Sequence, residues 1–161
     1  MSKLGVVLKT GAHLLHYISG EGSWALRPEE FTLLDAVIET LPIDVRKIAR
    51  EQLRQQFFVE RTSPGKRIRV IRFYSFPGEL RITDPSFDDQ LFNARIDVGG
   101  VRQTAHVTFY QGFIFSIEFK RAADIYKGKA LIVLEVSQGD NSQSFARSID
   151  RLEHSSDSDE E

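Results

Sequence analysis

The stretch FNARIDVGGVRQTAHVTFYQGFIFSIEF, Phe92–Phe119, decides the fold, because its patterning specifies three antiparallel strands in a meander. Phe92, Ala94, Ile96 and Val98 alternate with Asn93, Arg95 and Asp97, the period-two mark of a strand buried on one face. Gly99-Gly100 supplies a two-residue connection in which both positions accept positive φ. That turn sets Val98 against Val101, Asp97 against Arg102, Ala94 against Ala105 and Phe92 against Val107, so the apolar faces agree.

The second turn tests the register. A three-residue Tyr110-Gln111-Gly112 loop with Gly112 left-handed pairs Phe109 with Phe113 and Val107 with Phe115, and keeps the apolar faces together. A two-residue Gln111-Gly112 loop pairs Phe109 with Ile114 and turns Phe113, Phe115, Ile117 and Phe119 outwards, because a one-residue slip reverses every side chain. The longer loop is the expectation. The outer face then carries Thr104, His106, Thr108, Ile114, Ser116 and Glu118, with Ile114 and Tyr110 as a candidate exposed patch.

Upstream, Pro28-Glu29-Glu30 opens a helix, with proline in the first turn and acids complementing the helix dipole. Phe31, Leu34, Val37, Ile38 and Leu41 form its apolar stripe, and Pro42 ends it. A second helix is expected from Asp44 to Phe57, with Val45, Ile48, Ala49, Leu53 and Phe57 on one face. The short connection predicts a helical hairpin on one sheet face. Lys66–Tyr74 reads as a strand in which Arg67 and Arg69 alternate with Ile68 and Val70. The apolar phase switches at Ile71, which signals a bulge or a strand covered on both faces. Leu4–Leu8 and Leu80–Thr83 read as short strands, Leu131–Val136 as a buried strand, and Gln143–Glu153 as a short helix.

The expected fold class is therefore α+β: an N-terminal helical hairpin on one face of a mainly antiparallel sheet of about five strands around the meander. Residues 1–23 form an N-terminal segment, 24–153 a single domain, and 154–161 (HSSDSDEE) an acidic tail whose composition predicts disorder. The 161 residues suit one domain. With no cysteine, disulfide, thiolate and cysteine-metal chemistry are excluded. Lys9 interrupts the first apolar run too early for a signal peptide, and no run approaches membrane-span length, so a cytoplasmic protein is expected.

Catalytic signatures are weak, and the chain reads away from an enzyme, with no cofactor or metal site expected. His13 and His16 stand at i, i+3 but lack a carboxylate at ligand spacing. Asp84, Asp88 and Asp89 lack the alternating ligands and closing glutamate of a calcium loop, so caps and Asx-turns explain them better. His106 reads as a hydrogen-bonded surface histidine opposite Asn93.

Charge is the stronger signal. Between Arg46 and Arg72 lie nine basic residues against two acids, and removing the tail's four acids shifts the formal net charge from −2 to +2. Arg46, Lys47, Arg50, Arg54, Arg67 and Arg69 are the candidate interaction surface. The expected function is a non-enzymatic protein-interaction module, such as an adaptor, inhibitor or immunity-type protein, binding a protein partner or a second copy. A nucleic-acid-associated protein using the same cations is one alternative, though a pI near 6.1 argues against it. A small-ligand carrier or enzyme with a pocket between helices and sheet is the other.

Overall fold

The computed structural model describes residues 22–62, 68–74, 78–121 and 129–139. Two helices, α1 (Pro28–Glu39) and α2 (Ile43–Gln52), pack on a sheet whose strands run β1 (Gly22–Ser23), β2 (Phe57–Thr62), β3 (Ile68–Phe73), β4 (Asp89–Val98), β5 (Val101–Tyr110), β6 (Phe113–Phe119) and β7 (Leu131–Gln138). All neighbouring strands are antiparallel, in the order β1-β2-β3-β6-β5-β4-β7.

The α+β class and the central meander stand, but the sheet has seven strands rather than about five. The added strands are β1 and β2, and two expected elements change. The second helix stops at Gln52, and Phe57 opens β2 instead of closing a helix. Three successive β-formers, Phe57-Phe58-Val59, override the helical spacing there. Leu80–Thr83 is not a strand; Gly78–Leu80 is a 3₁₀ turn. Leu4–Leu8, Gln143–Glu153, His13, His16 and the acidic tail lie outside the described residues.

The first hairpin follows the predicted register, Val98↔Val101 through Phe92↔Val107, across a turn with φ of 59° at Gly99 and 85° at Gly100. The second does not. Gln111 and Gly112 both have positive φ, and the loop is the two-residue one: Tyr110 pairs with Phe113 and Phe109 with Ile114. The face conflict is cured further along by a β-bulge. Thr108 pairs with Ser116, so Phe115 is the extra residue, and Ile117 and Phe119 return to the helix side. Ile114 is consequently a core residue, 1 % exposed, and not part of an outer patch.

The core lies between the helices and one sheet face. Leu33, Leu34, Val37 and Ile38 of α1 and Ala49 of α2 meet Ala94, Ile96, Val107, Phe109 and Ile117. Each such side chain contributes roughly 1.5–3 kcal/mol of burial. Phe31, assigned to the apolar stripe from sequence, is instead 53 % exposed, and Leu33 takes the inward position. β3 is covered on both faces, as its phase switch indicated: Ile68, Arg69, Val70 and Ile71 are all buried. β7 is the edge strand and not a fully buried one, with Ile132 58 % and Leu134 44 % exposed. A register shift opposite Arg95/Ile96 leaves Leu134 unpaired with β4, a device that blunts an edge against further pairing. No helix among the described residues is long and apolar enough to cross a membrane.

Candidate functional site

Arg46 and Arg50 stand at i and i+4 on α2, and Arg54 follows in the turn after the helix ends at Gln52. They face carboxylates. Arg46 Nη1 donates to Glu39 Oε2 at 3.0 Å, while its Nη2 donates to the carbonyls of Glu39 (2.6 Å) and Leu41 (3.1 Å) at the C-terminal end of α1. Arginine there satisfies carbonyls the helix leaves open and meets the negative end of its dipole. Arg50 pairs with Glu39 and, at 3.5 Å, with Asp35. Arg54 pairs with Glu51 of α2. Lys47 reaches Asp44 only at 4.0 Å, with both side chains largely in solvent. Such exposed pairs contribute about 0–1 kcal/mol each.

Arg69 has a different location from these four. It is 0 % exposed on the helix side of β3, beside Arg61 of β2, and both point at Glu30 in the first turn of α1. Glu30 Oε1 accepts from Arg61 Nε (3.0 Å) and Arg69 Nε (3.1 Å). Its Oε2 accepts from Arg61 Nη2 and from the Arg27 N–H, each at 2.8 Å. The Arg69 guanidinium also lies 4.4 Å from the centre of the Phe119 ring, a cation–π contact. Burial pulls the Arg69 guanidinium below its ordinary value, and the Glu30 charge acts in the opposite direction. Arg67 lies outside the described residues. The structure thus places Arg46, Lys47 and Arg50 on α2, Arg54 just past its end, and Arg69 in the interior.

The opposite face of the sheet carries a shallow polar depression of about 680 Å³. Its side chains come from successive cross-strand positions, Ser137↔Asn93↔His106↔Glu118 and Glu135↔Arg95↔Thr104. His106 Nδ1 and Asn93 Oδ1 lie within hydrogen-bond distance at 2.7 Å. Arg95 and Glu135 pair at 2.9 Å. This is the hydrogen-bonded histidine expected from the meander. The aspartates play turn roles: Asp84 Oδ1 accepts from the Ser86 N–H (2.9 Å) and hydroxyl (2.8 Å), and Asp88 pairs with Arg81 at 3.0 Å. Those bonds, the backbone one first, hold the Asp84 carboxyl below its ordinary value. Among the described residues no three metal-ligating side chains converge.

Sequence reasoning missed Glu30 and Arg61. Glu30 was legible only as a dipole-complementing acid, and its true partners lie 31 and 39 residues away. These surfaces belong to an α+β domain built on an antiparallel sheet. No protein-family model, curated protein or solved structure matches the chain.

Proposed function

We propose that the chain is a non-enzymatic protein-interaction module whose docking surface is the outer seam between α1 and α2. One observation carries the reading. Arg46 meets Glu39, and Arg50 meets Asp35, so the two rows run antiparallel. Further towards the start of α1, Phe31 presents a ring 53 % exposed, and Arg54, just past the end of α2, has a side chain largely in solvent. An exposed aromatic on a helix whose outer carboxylates are neutralised by arginines has the composition of an interface hot spot. The helical hairpin expected from sequence is part of this reading, as is a cytoplasmic setting.

The nucleic-acid alternative uses the same cations but needs an uncompensated positive field. Glu39, Asp35 and Glu51, lying against Arg46, Arg50 and Arg54, work against it. Affinity capture from the native lysate tests the proposal, with Phe31→Asp and Arg50→Glu/Arg54→Glu baits in parallel, each checked to be folded. The expected result is one stoichiometric protein retained by the wild type and lost by both variants. Nuclease-sensitive recovery favours the nucleic-acid reading, and identical recovery by all three baits removes the seam.

A further inference from the structure

Strands β3 and β6 pair only from Ile68↔Glu118 to Val70↔Ser116 and part beyond that point. Two features hold them open. The extra residue Phe115 interrupts β6 where pairing would continue. Gln52, buried at the end of α2, then accepts from the Ile114 N–H (2.9 Å) and donates to the carbonyls of Gly112 (2.9 Å) and Leu80 (2.7 Å). A side chain thereby satisfies the Ile114 N–H of β6, and the Gly112 carbonyl accepts from the Ile82 N–H as well. The opening is a built feature of the sheet and carries no unmet hydrogen-bond cost at those groups.

Between the parted strands lies a cavity of about 1120 Å³, lined by the rings of Phe73, Tyr74, Tyr110, Phe113 and Phe115. Arg72, Arg81 and Asp88 also line it, two cations against one anion, a net charge of +1. Arg72 uses Nε on Glu60 (3.2 Å), and Arg81 uses Nε on the Gln111 carbonyl (3.2 Å) and Nη2 on Asp88 (3.0 Å). Both Nη groups of Arg72 and the Nη1 of Arg81 are left as donors.

We propose that this cavity binds a planar aromatic monoanion, an aromatic carboxylate of naphthalene size or larger. Its rings stack among the five aromatic side chains and its carboxylate meets the remaining donors of Arg72 and Arg81. Aromatic faces reward a flat ligand by offset or edge-on stacking, and guanidinium groups recognise a carboxylate through paired donors. A cation would be repelled by the arginine pair, and a polyanion would meet Asp88. The volume is that of a large small-molecule site. This site is separate from the helix seam and stands or falls independently of it.

Calorimetric titration of the full chain with 2-naphthoate and with the neutral 2-naphthalenemethanol tests the assignment. Binding of one naphthoate per chain is expected. Arg72→Gln should weaken it about tenfold while changing the neutral alcohol by less than about twofold, the loss of a charge-assisted contact. Arg95→Gln, on the other polar depression, should leave both unchanged. Absence of heat with naphthoate up to about 5 mM on folded wild type overturns the proposal, as does an Arg72→Gln affinity equal to wild type. If Arg81→Gln loosens the turn it holds to Asp88, Arg72→Gln carries the test alone, with circular dichroism reporting folding.

Discussion

Replacing Glu30 with glutamine removes one charge from the interior while keeping the volume of the side chain. In the native structure the Glu30 side chain is 0 % exposed, and those of its partners Arg61 and Arg69 are 1 % and 0 % exposed. Glu30→Gln removes the carboxylate charge that Arg61 and Arg69 share and turns one accepting oxygen into a donor facing donors. Removing one partner of a buried ion pair costs about 3–5 kcal/mol. A domain of this kind has a total stability of about 5–15 kcal/mol. The variant should therefore lose a large fraction of its stability, with Tm falling by roughly 6–20 °C. Urea unfolding followed by the fluorescence of Trp24, which packs against Phe58 and Tyr74, reads the change directly. Replacing all three groups together, Glu30→Met/Arg61→Leu/Arg69→Met, should recover stability to within about 1 kcal/mol of wild type or exceed it. A loss below about 1 kcal/mol in Glu30→Gln would refute the reasoning, because desolvated guanidinium groups cannot tolerate losing their carboxylate so cheaply.

Three further outcomes follow from local geometry. Gln52→Leu orphans the Ile114 N–H and removes the donor to the Leu80 carbonyl, while the Gly112 carbonyl keeps the Ile82 N–H, so it should cost about 1–3 kcal/mol and speed amide exchange at Ile114; unchanged exchange there contradicts the bridging role. Gly112→Ala meets a φ of 76° and the Ile82 carbonyl oxygen 2.3 Å from the new Cβ, whereas Gly100→Ala meets a φ of 85° in open space. The first should lose more than about 2 kcal/mol and the second about 1 kcal/mol by chemical denaturation, and equal losses would show that the clash is relieved elsewhere. The depressed Asp84 carboxyl contributes stability that is present above its unfolded pKa and lost as pH falls through the folded value. In an NMR titration its midpoint should rise in Ser86→Ala yet stay below the ordinary range, since the Ser86 N–H remains; an unmoved midpoint removes the hydroxyl's share.

Local patterning determined what could be read without coordinates. The strand β4 and its Gly99-Gly100 hairpin were legible because alternation, turn chemistry and cross-strand pairing all agree. The second hairpin was not, because two devices compensate each other. A two-residue turn reverses the faces, and the bulge at Phe115 restores them three residues later. A pattern that sums to the right faces hides the path by which it does so. β2 was lost because Leu53 and Phe57 continue a helical stripe across the break after Gln52. At the candidate sites, the helical pair Arg46 and Arg50 follows from spacing alone, but its carboxylate partners on α1 are tertiary facts, and Arg54 falls past the helix end. Arg69 illustrates the same limit. Alternation with Ile68 and Val70 makes it look solvent-facing, whereas a glutamate from another element pairs with it inside.

The helix seam is tested most directly by hydrogen–deuterium exchange on the complex between the wild-type chain and the protein it captures. Slowed exchange is predicted across residues 31–54, the outer half of α1 through α2, with Phe31→Asp abolishing both the complex and the protection. Protection confined to β7 or to the strands around His106, with residues 31–54 exchanging as in the free chain, would contradict the assignment of that surface.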